Sequence, residues 1–211
     1  MVSGLAAFVT VILAILMVYG IRLSGKQLPT LILPLTTIGY AAPGAVLGIG
    51  ILVPLAFLDN WLADRVFDFT GYDPGLVFTG TAFAIILAYC VRFFSIAQHT
   101  VDGALGRVSP SLPNAARSLG RNKLQVLWEI YRPLISASTA TALLLVFVDC
   151  VKELPATMLL RPFNFETLAT RVHVQASLED LPNAAPGAIL IVLIGLCAVF
   201  MLAKVSQKIS H

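Results

Sequence analysis

The sequence predicts an all-α polytopic membrane protein with about five transmembrane helices. Of its 211 residues, 58% are hydrophobic and only 12% are charged, and its mean hydropathy is +0.88. Soluble domains carry about a quarter charged residues, and their surfaces need more polar cover than this composition supplies. We therefore expect the excess apolar surface to face membrane lipid. The net charge of +3 gives no reason to expect a nucleic-acid partner.

Five apolar stretches are long enough to cross the hydrocarbon core, which takes about 20 helical residues. They cover approximately residues 4–21, 31–58, 75–97, 134–151 and 185–203. The first lacks the basic start and the cleavage site of a signal peptide, so we interpret it as a membrane helix. We interpret residues 1–211 as a single transmembrane domain.

Prolines interrupt the second stretch at Pro34, Pro43 and Pro54. Proline donates no backbone hydrogen bond and clashes with the preceding helical turn, so we expect a kink or a half-helix break there. Such breaks are tolerated at membrane depth where the freed backbone groups are buried in protein or line a cavity.

The connecting segments differ in charge, and this difference predicts the orientation. Arg22 and Lys26 follow the first stretch, five basic residues lie between the third and fourth, and Lys204 and Lys208 follow the fifth. The segment between the second and third stretches is acidic: Asp59, Asp64, Asp68 and Asp73 oppose Arg65. Because basic residues remain on the cytoplasmic side, we expect an outside N-terminus, a cytoplasmic C-terminus and an external acidic segment.

Residues 98–132 form the longest polar segment on the predicted cytoplasmic side. Ser111 and Pro113 are typical of a helix start, Gly120 can end that helix in a left-handed conformation, and Asn122 can cap the next one. Apolar residues recur at helical spacing after the cap: Leu124, Leu127, Trp128 and Tyr131. We therefore predict two short helices joined by a glycine turn at the membrane surface.

This segment resembles the EAA loop of ATP-binding-cassette (ABC) importer permeases, whose pattern is Glu-Ala-Ala, three residues, Gly, nine residues, Ile, any residue, Leu, Pro. The residues at and around the matching positions are Asn114, Ala115, Ala116, Arg117, Ser118, Leu119, Gly120, Ile130 and Pro133. Asn114 stands where Glu is usual, and Arg132 stands where Leu is usual. The resemblance implies a cytoplasmic coupling loop that binds a separate ATPase subunit and passes its movement to the membrane helices.

Three further segments are similar to ferric-iron permeases: Gly39–Gly44, Ala88–Phe93 and Lys152–Val172. Those permeases usually fuse two homologous halves, and this chain resembles the second. The resemblance implies a type I importer permease in a cell inner membrane, carrying ferric iron from a periplasmic or extracellular binding protein. It further implies a second permease half or copy, surrounding membrane lipid, ATP used by the partner ATPase, and no cofactor bound by this chain.

Charged residues near the end of the fourth stretch are candidates for a substrate pathway. Asp149 and Lys152 are three residues apart, so they share a helix face and can neutralise each other near the interface. Alternatively, the carboxylates of Asp149 and Glu153 form a polar patch beside the pathway, since a hard cation such as Fe³⁺ favours oxygen ligands. Pro155 is expected to break this helix and leave a re-entrant or interfacial turn that contains Arg161. No resident metal site is predicted.

Two other sets of residues have simpler interpretations. Arg92 is expected to extend along the third stretch to the inner interface. Cys90, Cys150 and Cys197 are interpreted as buried, small apolar side chains rather than as disulfides or metal ligands.

Other functions remain open on the residues alone. A permease for another small solute, such as thiamine or a polyamine, would have a similar EAA loop, and a non-transporting membrane scaffold is a different class. An intramembrane enzyme would need reactive groups at membrane depth, whereas His99, His173 and His211 lie outside the predicted spans, so no catalytic residue is predicted. The chain has no Walker-type phosphate-binding sequence, which places ATP hydrolysis on another subunit.

Overall fold

The computed structural model describes residues 1–24 and 33–209, and within those ranges the chain is helical without a strand. In chain order the helices are α1 (Val2–Ser24), α2 (Ile38–Ala41), α3 (Gly44–Thr70), α4 (Ala82–Gly106), α5 (Ser111–Ser118), α6 (Lys123–Val126), α7 (Arg132–Lys152), α8 (Pro155–Leu160), α9 (Leu168–Ser177) and α10 (Leu181–Ile209). A 3₁₀ turn covers Leu33–Thr37, and a π-helical turn at Leu127–Tyr131 connects α6 to α7. Five of these helices, α1, α3, α4, α7 and α10, are long and apolar enough to cross a membrane, which confirms the predicted fold class.

The core of the bundle lies where α1, α4 and α7 pack against one another. Small side chains form much of this contact, and they let membrane helices approach closely. Its fully buried members include Ala6, Ala14, Ala84, Ala88, Ala142 and Val146. Helix α10 packs on α7 and α9 at the edge of the bundle. Cys197 on α10 is therefore exposed, contrary to expectation, whereas Cys90 and Cys150 are buried.

The second membrane helix differs from the predicted stretch 31–58, of which residues 31–32 lie outside the described part. The chain breaks at Ala42, which is extended (φ −68°, ψ 139°), and α3 begins after Pro43. The predicted break is therefore present at Pro43, because proline disfavours a helical residue before it. Pro54 lies inside α3, and the helix continues to Thr70.

Helix α3 contains an acidic residue whose carboxylate is hydrogen-bonded within the protein. Asp59 was predicted to lie in an external acidic segment, yet it belongs to α3 and is 1% exposed. Its carboxylate accepts hydrogen bonds from the backbone N–H groups of Val77, Phe78 and Thr79 at 2.8–2.9 Å, and from the Thr79 hydroxyl at 2.6 Å. These four donors compensate the cost of burying a charged carboxylate.

The third membrane helix also differs from its predicted bounds of 75–97. It begins only at Ala82, because the preceding residues form the turn that Asp59 holds, and it continues to Gly106. His99 consequently lies within α4, on its exposed side, rather than outside the spans as predicted. Lys26 and His211 lie outside the described residues.

Candidate functional site

The segment of residues 111–131, called here the helix–turn–helix segment, has the local structure that its sequence predicts. Helix α5 ends before Gly120, whose φ of +85° is in the left-handed region. Asn122 then caps α6: its side-chain oxygen accepts from the Gln125 N–H at 2.8 Å, and the Gln125 side chain accepts from the Asn122 N–H at 2.9 Å. This reciprocal cap and the glycine define the angle between the two short helices.

The helix–turn–helix segment is attached to the membrane bundle through aromatic and apolar side chains. The Tyr19 hydroxyl of α1 donates a hydrogen bond to the carbonyl of Lys123, and its ring meets that of Tyr131 edge-on with centroids 5.4 Å apart. Pro113 and Ala116 of α5 are buried on the inner side. The segment and the last turns of α1 are therefore in direct contact.

The exposed surface of the segment carries apolar and basic groups close together. Leu119 at the turn is 83% exposed and Leu124 is 67% exposed, beside the exposed side chains of Arg117 and Lys123. Of the residues that the family pattern picks out, Asn114, Ala115, Arg117, Ser118, Leu119 and Gly120 are all exposed around the turn. Exposed apolar side chains rimmed by charge are typical of a protein-docking surface.

The remaining positions of the pattern lie elsewhere. Ile130 is half-buried in the π-helical turn, and Pro133 is exposed in the first turn of α7. The two arms of the segment are joined by an ion pair between Arg121 and Glu129 at 3.1 Å.

A second candidate region is a buried ion pair between α4 and the end of α7. The Nε of Arg92 lies 3.0 Å from Oε2 of Glu153, and the two side chains are 18% and 7% exposed. Arg92 is ten residues from the start of α4 at Ala82, or about 15 Å along the helix. Its guanidinium therefore points into the protein at membrane depth, and the expectation that it extends to the inner interface is wrong.

The backbone around the buried pair supplies further partners. Nη1 of Arg92 donates to the carbonyl of Ala42 at 2.9 Å, and Oε1 of Glu153 accepts from the N–H of Ala156 at 3.2 Å. Ala42 is at the break before α3, and Ala156 is in the first turn of α8. The Nε of Arg92 is in ion-pair contact but is not aligned for a hydrogen bond. The pair thus connects the two places at which membrane helices are interrupted.

Glycines let α3 approach this pair closely. A Cβ on Gly44 would lie 2.7 Å from Oε1 of Glu153 and 3.1 Å from Nη1 of Arg92. One turn later, a Cβ on Gly48 would lie 3.4 Å from the Cα of Ala156. Real Cβ contacts at 2.7 Å are essentially never observed, so the first of these positions requires glycine if the ion pair is to keep its geometry.

The other predicted pathway residues lie near the same end of α7. Asp149 and Lys152 form the predicted pair at 2.6 Å, with Lys152 60% exposed. Pro155 starts α8 after the predicted break, and Arg161 follows that helix, 3.7 Å from a carboxylate oxygen of Glu166. The structure does not combine Asp149 and Glu153 into one ligand set, because each carboxylate has its own basic partner. Within the described ranges, no three His, Cys, Asp or Glu side chains are placed to hold a metal.

Sequence reasoning missed the buried pair because nothing local in the chain indicates it. Glu153 was singled out as a pathway residue and Arg92 as an interfacial one, and they are separated by 61 residues. Their only shared signal is that each is a charge in or beside an apolar stretch, which requires a partner at membrane depth.

Residues 7–211 match the family described as "Binding-protein-dependent transport system inner membrane component". The chain is 30% identical over 207 residues to an Fe(3+)-transport system permease protein of Haemophilus influenzae, an alignment that covers 98% of this chain and 38% of that protein.

Two further relatives carry different names. A ferric transport system permease protein of Actinobacillus pleuropneumoniae is 29% identical over 73% of this chain and 21% of its own length. A protein of Salmonella typhimurium named as a 2-aminoethylphosphonate transport system permease is 27% identical over 81% of this chain and 58% of its own length. The chain thus spans less than two thirds of the length of each of these relatives.

Proposed function

Because the chain belongs to the family of binding-protein-dependent transport system inner membrane components, we propose that it is the transmembrane permease subunit of an ABC importer. In this proposal it is a transport subunit and not an enzyme. ATP is bound and hydrolysed by a separate ATPase subunit, and this chain binds no cofactor. A second permease half or copy completes the membrane pathway, and an external binding protein delivers the substrate.

The observation that carries this proposal is the helix–turn–helix segment. It exposes Leu119 and two basic side chains, Arg117 and Lys123, and it is attached to α1 through Tyr19. An ATPase that binds this surface would move α1 and α7 together, because the π-helical turn continues directly into α7. Rigid-body tilting of packed helices is a common way to convert such a movement into access to a pathway.

We propose ferric iron as the substrate, with the binding protein doing the selective chelation. Relatives named for Fe(3+) and ferric transport support it. The proposed pathway runs along the broken ends of α3 and α7, where the candidate residues are Asp149, Lys152, Glu153, Pro155 and Arg161. Fe³⁺ is cargo in this proposal and makes only passing contacts with oxygen donors.

A second candidate substrate is an anion of the phosphonate class, since one relative is named as a 2-aminoethylphosphonate permease. Thiamine and polyamines are alternatives of the same functional class. A non-transporting scaffold explains neither the family membership nor the interrupted helices.

We further propose an inner-membrane location with the helix–turn–helix segment in the cytoplasm and the N-terminus outside. Arg107, Arg117, Arg121, Lys123 and Arg132 all lie between α4 and the first turn of α7, at the end of the bundle that would then be cytoplasmic. This distribution agrees with the retention of basic residues on that side.

Transport by the assembled complex tests the proposal. Proteoliposomes would hold this chain, its companion half, the ATPase and the binding protein, and uptake of radioactive iron would be compared with that of 2-aminoethylphosphonate and thiamine. We expect iron uptake that requires ATP. Entry of another solute instead of iron would support the importer function and contradict iron as the substrate. If no solute enters and no ATPase co-purifies, the importer function itself is contradicted.

The docking surface has its own test within that complex. We expect Leu119→Ser to reduce the amount of ATPase that co-purifies with the chain by at least several-fold, because the most exposed apolar side chain of the segment is lost. Leu178→Ser is the matched control, since Leu178 is 73% exposed and lies just after α9. Equal retention of ATPase by both variants would contradict the assigned surface.

A further inference from the structure

An apolar groove lies between α1 and α7, on the side of the bundle next to the helix–turn–helix segment. It encloses about 460 Å³. Its walls come from Ile12 and Leu16 of α1 and from Ile135 and Leu143 of α7, and Trp128 and Arg132 form one end. Apart from that end, the lining is almost entirely hydrocarbon.

The polar end of the groove carries a positive charge without an acidic partner. The guanidinium of Arg132 lies over the ring of Trp128, 4.9 Å from the ring centroid. None of the ion pairs within residues 1–24 and 33–209 includes Arg132. Tryptophan and arginine at the end of a membrane helix are typical of the headgroup level of a bilayer.

The length of the groove matches one leaflet. Arg132 and Leu143 are eleven residues apart on a continuous helix, or about 16 Å. Half of a hydrocarbon core is about 15 Å thick. An acyl chain that starts at the headgroup level would therefore reach the bilayer centre at Leu143.

We propose that this groove binds one anionic phospholipid, with its phosphate at Arg132 and one acyl chain along the apolar wall. The charge selects an anionic headgroup, and the apolar wall offers an acyl chain a contact that a soluble anion cannot make. The inference goes beyond importer activity and does not depend on which substrate is carried.

The position of Arg132 distinguishes this chain from the loop pattern it resembles, in which a leucine stands there. The arginine is therefore not a requirement of the loop itself. Ser136 also lines the groove, one turn along α7 from the arginine, and its hydroxyl donates to the carbonyl of Pro133 at 2.9 Å. Among the residues that the structure describes, neither side chain has a polar partner outside the groove and its own helix.

A matched control exists in the same chain. Arg65 lies over Trp61 on α3, 5.6 Å from the ring centroid, and neither residue lines the groove. If an arginine stacked on a tryptophan were sufficient to retain an anionic lipid, the two pairs would behave alike. The proposal requires the charge and the groove together.

The experiment measures the lipids retained by the assembled transporter. The complex would be reconstituted in vesicles of phosphatidylcholine with about 20% phosphatidylglycerol as the anionic lipid, then extracted and analysed by mass spectrometry. We expect Arg132→Leu to lower the ratio of retained phosphatidylglycerol to phosphatidylcholine by about fivefold, from the attraction of one basic side chain near an anionic surface. Arg132→Lys should keep most of the retention, and Arg65→Leu should change nothing.

Several results would overturn the proposal. Equal retention by the unmodified complex and Arg132→Leu, in a variant that still assembles with its ATPase, would show that no lipid is held there by charge. Equal losses from Arg65→Leu and Arg132→Leu would show that the groove is irrelevant. A disulfide between Ser136→Cys and a cysteine of the companion permease half would show that protein, rather than lipid, covers the groove.

Discussion

At the scale of single residues, the pair of Arg92 and Glu153 decides how the interrupted helices are held. A charge at the centre of a membrane helix costs about 2.5–3.5 kcal/mol on insertion scales. Here the two charges neutralise each other, and they also satisfy the Ala42 carbonyl and the Ala156 N–H that the breaks leave without helical partners. The pair therefore offsets the cost of the breaks as well as its own.

Loss of one partner of this pair should be much more harmful than loss of a surface pair. Glu153→Gln leaves the Arg92 charge buried without compensation, and we expect a loss of about 3–5 kcal/mol in the free energy of unfolding. Asp149→Asn is the matched control: its partner Lys152 is 60% exposed, and removal of such a pair costs less than about 1 kcal/mol. Thermal unfolding of the purified complex measures both, and similar midpoints would contradict the assignment.

Gly44 provides an independent check on the geometry of the pair. Gly44→Ala places a methyl group 2.7 Å from Oε1 of Glu153, so we expect destabilisation by about 1–3 kcal/mol and reduced uptake. Gly50→Ala on the same helix is the control, because nothing lies within 4 Å of its Cβ and alanine favours a helix. If both variants unfold at the same temperature as the unmodified protein, α3 does not approach the ion pair of Arg92 and Glu153 as closely as the structure indicates.

Which residue contacts could be predicted depended on their distance along the chain. The pairing of Asp149 with Lys152 followed from helical spacing, and the structure contains it. The contact between Arg92 and Glu153 depends on how α4 and α7 pack, which no local pattern specifies. The same holds for Asp59, whose donors are 18 to 20 residues further on.

At the scale of elements, local signals predicted the helix–turn–helix segment well and the ends of the membrane helices less well. Glycine at a left-handed position and a reciprocal asparagine cap act within a few residues, so Gly120 and Asn122 could be interpreted directly. The bounds of α3 could not be predicted in this way. A charged residue such as Asp59 indicates an exposed connection unless its hydrogen-bond donors, which are distant in sequence, are known. Hydropathy detects the apolar part of a helix, not the part that tertiary hydrogen bonds extend.

The glycine turn leads to a prediction about the segment as a unit. Gly120→Ala forces a Cβ into a left-handed conformation (φ +85°), which costs about 1–2 kcal/mol, while the position itself has open space. We expect faster proteolysis of the segment and weaker retention of the ATPase. Gly103→Ala, an exposed helical position on α4 that also has open space, should be neutral or stabilising. Equal protease sensitivity of the two variants would show that the turn tolerates a side chain.

At the scale of the whole molecule, the orientation of the bundle is the property that other proposals depend on. Leu119 and Phe163 are strongly exposed. One membrane-length helix, α7, separates them in the chain, so they lie at opposite ends of that helix. We expect a membrane-impermeant thiol reagent to label Phe163→Cys in intact cells and Leu119→Cys only after the membrane is opened. Both cysteines would be introduced into a Cys197→Ser variant, because Cys197 is exposed and would itself react, whereas Cys90 and Cys150 are buried. The reverse pattern would place the N-terminus inside.

The capped carboxylate of Asp59 has a consequence for biosynthesis. Until the segment around residues 77–79 has been made, α3 carries an acidic side chain whose hydrogen-bond donors do not yet exist. A translocon that presented α3 to lipid alone would face a penalty for that side chain, with about 2.5–3.5 kcal/mol as its upper bound, the value for aspartate at the centre of a span. We therefore expect α3 and α4 to leave the translocon as a hairpin. A glycosylation reporter should show poor insertion of residues 44–70 and efficient insertion of residues 44–106, with Asp59→Asn improving the first much more than the second.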